Sequence, residues 1–293
     1  MATTGGILDA QGRTEEEFLA AYDISAYPQP SVTVDDVVMT VDDNDLRVLL
    51  VRRGGHPFLG QWALPGGFVG MEESTDNAVV REVREETGIK VGDRIGYFEQ
   101  LRTFSAPYRD PRGRIISVAY MALLPSARIG GMEAGDDASD AAWFSVRLIG
   151  DDGECVMLTQ VMDEEGDEEP VTLFLGDEGA RAFFSEGRGD LGRLAFDHEE
   201  ILKCAIARLR AKIVYSCIAF SLLDDPCCFT LTELRHVYEA VTGRRYDMGN
   251  FQRMFKNLFV KPGLAEANGA ADTKGRPATT YEFVGKGYDE IVR

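Results

Sequence analysis

The sequence predicts a mixed α/β unit, followed by a C-terminal helical domain with a β-wing. Three observations predict it: two adjacent β-branched runs near the start, a glycine-bounded helix with carboxylates on one face, and a turn to helical periodicity after residue 197. Val32–Thr40 (VTVDDVVMT) and Arg47–Val51 (RVLLV) are partly alternating, and the DDND between them makes a turn joining two strands. Gly66-Gly67 breaks the chain ahead of Thr75–Thr87, whose pattern is helical and which Gly88 ends as a C′ glycine does. Ile115–Leu124 and Ala141–Val146 read as further strands, so this part forms one mixed α/β unit. His198–Ala219 can run as one long helix, and shorter helices follow near Leu231–Val241 and Asp247–Phe259.

With 293 residues, 44% of them hydrophobic, the chain can bury a core and is long enough for one large or two ordinary domains. Disordered and fibrous classes are excluded. Five cysteines without a C-x-x-C pair, a polar N-terminus and no apolar run longer than Ile213–Leu223 predict a cytoplasmic protein without a membrane segment. The net charge of −18 argues against a polyanionic partner until it is resolved along the chain. Residues 1–198 hold 17 basic against 37 acidic side chains, whereas residues 199–293 hold 14 against 12. Within Arg235–Lys261 there are six basic and two acidic residues, so a nucleic-acid contact is locally permitted. The expected division is residues 1–196, with an acidic insertion at about 147–193, and residues 197–293, a linker helix and a winged domain. The insertion holds 13 acidic against 4 basic residues and two strand-like pieces, Cys155–Met162 and Val171–Leu175, which suit a hairpin.

On a helix at 100° per residue, Glu82, Glu85 and Glu86 fall within about 100° of one another, while Val80 and Val83 lie opposite. Ala78, one turn earlier among the carboxylates, leaves room for a ligand. An acidic helix face is ordinarily just solvated. Here it comes with Gly67 in the preceding turn, Glu73 eight residues before Arg81, and Gly88 at the end. Clustered carboxylates raise one another's pKa unless cations neutralise them, so the face calls for a hard divalent metal, Mg²⁺ or Mn²⁺, which commonly bridges substrate phosphates.

Residues 67–89 match G-x5-E-x7-R-E-U-x-E-E-x-G-U at all nine specified positions, and on them the chain resembles the Nudix hydrolases. The resemblance implies the Nudix α/β/α sandwich and metal-assisted hydrolysis of a nucleoside diphosphate derivative. It implies Glu82, Glu85 and Glu86 as catalytic metal ligands, a further ligand from the Gly66 carbonyl, and a structural Glu73–Arg81 ion pair. A general base from a loop outside the box is also implied, with Asp136 or Asp137 as candidates, although such loops are more often turns. Arg52, Arg53, Arg109 and Arg112 are candidate phosphate clamps, or surface charges. The segment 99–120 resembles one found in Nudix domains that handle ADP-ribose, which makes ADP-ribose or a related nucleotide the expected substrate. Trp62 reads as a packing residue, and His56, His198 and His236 are too scattered for a metal site.

On the expected helix Asp247–Phe259, Phe251, Phe255 and Leu258 form a core stripe, leaving Asn250, Arg253 and Asn257 on the other face with Lys256 beside them. Amides and guanidinium groups read base edges in a major groove. Arg244 and Arg245 precede this helix, and Arg276 lies in a turn before the strand-like TTYEF, which completes a winged helix-turn-helix layout. Taken alone, a mildly basic helix pair is more often a packing or dimerisation element. The stretches FLAAYDISAYPQPSVTVDDVV, LAFDHEEIL and FTLTELRHVYEAVTGRRYDMGNFQRMF resemble the Nudix-related transcriptional regulators, the NrtR family. That resemblance implies a homodimer binding palindromic double-stranded operator DNA, and repression of NAD-metabolism genes relieved by ADP-ribose. Many of those regulators have a degraded box and do not cleave their ligand, whereas the three glutamates are present here. Both a pyrophosphohydrolase and a non-hydrolytic sensor are therefore open at this point.

Overall fold

The computed structural model describes residues 7–88, 96–126, 138–149, 155–162, 169–177, 192–271 and 277–288. After a short helix α1 (Glu15–Ala21), β1 (Ser31–Asp42) and β2 (Asp45–Arg53) form a hairpin, with Asp43 and Asn44 both at positive φ in its two-residue turn. β3 (Trp62–Ala63) pairs with β2, and β4 (Gly66–Phe68) pairs with β1. Helix α2 (Thr75–Thr87) is capped by Ser74 and ends at Gly88, whose φ of 69° places it in the left-handed region. β5 (Tyr97–Phe104), β6 (Ile115–Leu123), β7 (Ala138–Ile149), β8 (Cys155–Gln160) and β9 (Thr172–Leu175) complete a sheet ordered β5-β6-β1-β2-β7-β8-β9. Of its described pairings only β1 with β6 is parallel, so the sheet is mixed.

β1 is buried on both faces, and its alternation decides what lies where. Val34 and Val38 pack with Ala78, Val79 and Val83 of α2. Val37, Met39 and Val41 join the core on the opposite face, which includes Ile201, Leu202 and Ala205 of α3 (His198–Lys212). The result is an α/β/α sandwich whose second helical layer is the helix expected as a linker. Ala78 is fully buried, so its small side chain serves the close approach of α2 to the sheet, in place of the ligand space expected for it. The acidic stretch contributes β8 and β9 to the main sheet, with Val156, Leu158, Leu173 and Leu175 in the main core. A hairpin grown on a sheet edge buries its apolar alternation on that sheet, which is why the strands survive amid so many charges.

The long helix expected over 198–219 stops at Lys212. β-branched Ile213-Val214 follow, and the Ser216 hydroxyl donates to the Lys212 carbonyl at 2.8 Å, after which a 3₁₀ turn spans Ile218–Leu222. α4 (Leu231–Thr242) opens on a Thr230/Glu233 capping box and ends at Gly243. α5 (Met248–Phe255) passes into a π-helical turn over Lys256–Val260. That turn holds more residues than an α-turn, so Phe259 joins Phe251 and Phe255 in the core stripe, while Leu258, expected there, packs against it partly buried. β11 (Ala265–Ala271) and β12 (Ala278–Phe283) form the wing with β10 (Phe229–Thr230). Phe229, Phe255 and Tyr281 pack in the same continuous core as Val37 and Ile201, so sandwich and winged helix share one interior.

Asp36, on the α2 side of β1, is fully buried and its carboxylate has no hydrogen-bond partner among the described residues. Burial pushes its pKa up to about 7. Between pH 4 and 7 the folded chain then holds a proton that the unfolded chain has lost, so this residue makes stability fall as pH rises through that window and level off above it. Asp36→Asn should raise the melting temperature at pH 8 by on the order of 5 °C and change it little at pH 4, as thermal scans at the two pH values will show.

Candidate functional site

The site rests on how closely β4 approaches its neighbours. A Cβ on Gly66 would lie 2.2 Å from the Val34 carbonyl oxygen, and one on Gly67 would lie 2.3 Å from a Glu82 carboxylate oxygen. No other residue permits both approaches. The Gly66 N–H donates to Glu86 Oε2 at 2.8 Å, which fixes the last turn of α2 over the strand.

A cleft of about 520 Å³ opens there. Glu82, Glu86 and Asp35 line it together with Gly66 and Gly67. Glu86 is largely buried, and burial raises its pKa to about 8; burial also raises that of Glu82. Glu85 is half exposed and turns to Arg81 at 3.0 Å, outside the lining. Arg81 also pairs with Glu73 at 2.6 Å and Glu82 at 2.8 Å, and donates to the Phe68 carbonyl at 3.1 Å, so it ties the loop to the helix. Among the described residues no three His, Cys, Asp or Glu side chains are grouped to hold a metal ion. The facing pair Glu82 and Glu86 nevertheless fits one: two partly desolvated carboxylates of raised pKa gain from a hard cation that ionises them.

All four candidate clamps, Arg52, Arg53, Arg109 and Arg112, line the same cleft. They differ in freedom. The Arg53 guanidinium sits 4.8 Å and that of Arg112 5.4 Å from the ring centre of Phe196, and Arg112 also lies 5.2 Å from that of Phe68. Flat aromatic faces thus present two cations to the cleft. Arg112 pairs with Asp110 at 2.7 Å, Arg53 Nε donates to the Pro57 carbonyl, and Arg52 Nε donates to the Gly60 carbonyl. Arg109 is nearly buried and grips Asp197 through two hydrogen bonds of 2.5 and 2.8 Å, with Asp35 at 3.6 Å. It is less a free clamp than a committed ion pair.

Sequence reasoning passed over Asp35 and Phe196, and considered His198 only as a metal ligand. His198 is buried, accepts the Leu64 N–H at Nδ1 (2.9 Å) and places Nε2 3.4 Å from Asp35. Burial lowers its pKa, which favours the neutral ring. Ser117 also donates to Asp35. The available signal was the acid pair in VTVDDVV, since carboxylates inside an otherwise apolar strand need partners. Trp62 is buried against Phe144 and lies outside the lining. Asp136 and Asp137 fall outside the described residues, as does Arg276.

In the winged helix, Asn250, Arg253, Lys256 and Asn257 are all exposed on α5 and the turn that continues it. Arg244 and Arg245 line a separate cleft of about 470 Å³ between α4 and the sheet, with Arg147 and Arg210. No helix among the described residues is long and apolar enough to cross a membrane.

Residues 32–158 match the NUDIX domain model, and residues 219–283 match the NrtR DNA-binding winged helix domain. An ADPR responsive transcriptional repressor NtrR from Acinetobacter baylyi is 30% identical over 279 residues, spanning 94% of this chain and 91% of that protein. An ADP-ribose pyrophosphatase from Methanocaldococcus jannaschii is 42% identical over 126 residues, 42% of this chain and 66% of that one. Shewanella oneidensis NrtR, solved with a 27mer DNA, superposes with a TM-score of 0.61 at 28% identity, covering 89% of this chain and 97% of that one.

Substituting the two glycines should separate fold from site. Gly66→Ala drives a Cβ into backbone and should cost about 3 kcal/mol in denaturant unfolding. Gly67→Ala meets only the end of a flexible side chain, so it should fold, displace Glu82 and weaken Mn²⁺ binding about tenfold by calorimetry.

Proposed function

Because the chain belongs to the NrtR family of regulators, which join a Nudix domain to a DNA-binding winged helix, we propose that it binds ADP-ribose in the cleft, hydrolyses it with a divalent metal, and binds operator DNA. The observation that carries this reading is the convergence of Glu82, Glu86 and four arginines on one cleft. In this reading residues 1–196 form the nucleotide domain, residues 197–293 form α3 and the DNA-binding domain, and the protein works in the cytoplasm, where operator DNA is.

Glu82, Glu86 and the Gly66 carbonyl, with Glu85 at the rim, would hold Mg²⁺ or Mn²⁺. When bound, the metal supplies charge neutralisation for a pyrophosphate and activation of a water for attack at phosphorus. Arg53 and Arg112, propped on Phe196, orient the phosphates and offset their charge. Attack forms one P–O bond and breaks the bridging P–O bond, giving AMP and ribose 5-phosphate. A carboxylate takes the water's proton, and Asp136 and Asp137 remain the proposed sources. The raised pKa of Glu86 means that metal competes with a proton there, so metal affinity rises with pH up to about 8.

One observation favours the alternative, a sensor that does not cleave: Glu85 is held by Arg81 away from the cleft. Incubation with ADP-ribose and Mg²⁺ decides between them. Hydrolysis predicts AMP release that Glu86→Gln lowers at least a hundredfold; binding without release in both proteins supports the sensor.

On the winged helix, Asn250, Arg253, Lys256 and Asn257 are the proposed DNA-reading face, with Arg244, Arg245 and Arg276 contacting phosphates. Apolar side chains exposed on the N-terminal segment, among them Leu19, Tyr22, Ile24 and Tyr27, offer surface for the second copy of a homodimer. Gel shifts with DNA from upstream of its own operon should weaken steeply between 50 and 200 mM salt, and Arg253→Ala should reduce affinity about tenfold at fixed salt.

A further inference from the structure

Arg109 and Asp197 join the nucleotide cleft to the helix that leads into the winged domain. Asp197 stands at the N-cap of α3, a position where an Asp side chain ordinarily accepts a hydrogen bond from the first-turn N–H groups. Here it makes no such bond. Both of its carboxylate oxygens are engaged by Arg109, at 2.5 and 2.8 Å. Arg109 lines the cleft, and Asp197 does not. The next residue, His198, is the first of α3 and also lines the cleft, held by Leu64 and facing Asp35. The N-terminus of α3 is thus part of the nucleotide site's wall.

The other end of α3 reaches the winged domain. At 1.5 Å per residue α3 is about 22 Å long, and it packs against α4. Near that end Arg208 and Lys212 both pair with Glu99 of β5, which pins the helix to the sheet. A shift at the N-terminus therefore becomes a tilt about this pin, felt at α4.

We propose that Asp197 is a positioning residue with two alternative partners, and that a phosphate of the bound nucleotide selects between them. Without ligand, Asp197 holds Arg109 and leaves α3 without its side-chain cap. With a diphosphate in the cleft, Arg109 turns to the phosphate, and Asp197 is released to cap α3. The two arrangements trade one charge-assisted pair for another plus a cap, so a phosphate in the cleft can select between them. α3 then takes a different seat in each, and the winged helix follows. This rests on the proposed function, in which one chain binds both ADP-ribose and operator DNA, and adds that the first releases the second.

Two substitutions push in opposite directions. Asn caps a helix as well as Asp but cannot hold Arg109 as an ion pair, so Asp197→Asn should favour the liganded arrangement. Glu can hold Arg109 but caps poorly, so Asp197→Glu should favour the ligand-free one. In full-length protein, with ADP-ribose titrated by calorimetry and DNA from upstream of its own operon followed by anisotropy, Asp197→Asn should bind ADP-ribose about tenfold more tightly and DNA about tenfold more weakly than wild type, within the range of typical coupling. Asp197→Glu should keep DNA affinity and need about tenfold more ADP-ribose to release it. If both variants weaken both ligands together, or if both release DNA at the wild-type ADP-ribose concentration, Asp197 is only structural and the switch is wrong. If the wild type binds ADP-ribose and DNA without either affecting the other, the switch is wrong while the proposed function stands; if it binds neither, the proposed function itself fails.

Discussion

The absence of side chains at Gly66 and Gly67 is the constraint on which the cleft depends. Two successive residues without Cβ let β4 lie against β1 on one side and against the α2 carboxylates on the other. A side chain at Gly66 would run into the β1 backbone, and one at Gly67 would displace the Glu82 carboxylate from the cleft. The close approach also explains the buried Ala78 and the Arg81 latch, because a helix drawn this near needs small residues beneath it and a tie to the loop it covers.

Once the helix is drawn in, burial sets the electrostatics. Carboxylates with raised pKa face a wall of arginines, and that opposition of charge suits a ligand carrying both metal and phosphate. The arginines are not equivalent. Phe196 props Arg53 and Arg112, of which Arg112 also pairs with Asp110, whereas Arg109 is nearly buried and gripped by Asp197. A satisfied cation in a binding cleft is an equilibrium that a ligand can bias.

The second helical layer joins the two halves. α3 covers the sheet face that α2 leaves open, and its apolar stripe merges with the aromatic core of the winged helix. The cleft and the exposed face of α5 are therefore not beads on a linker. They share an interior, which transmits displacement because packed side chains yield little.

The box glycines, the α2 helix with its cap and stop, the β1–β2 hairpin and the charge asymmetry could all be read from the chain, since each follows from local rules: periodicity 2 or 3.6, a left-handed terminus, a two-residue turn. The spacing of the box also brought Gly67, Glu82 and Glu86 to the cleft, whereas Glu85, marked by the same spacing, turns to Arg81. Short strands such as β4, and β5 with its broken register, were not legible, because pairing partners far along the chain decide them. Nor was the other side of the site. Asp35, Asp197 and His198 lie far along the chain from Arg109, which the sequence offered as one of four candidate clamps, and only the sheet's parallel β1–β6 pairing and the seat of α3 bring them together. Whether an arginine is a free clamp or half of an ion pair, and whether an aspartate caps its helix or reaches across a cleft, depends on which of two partners is nearer. That is a matter of distances in space, and tertiary structure alone decided it.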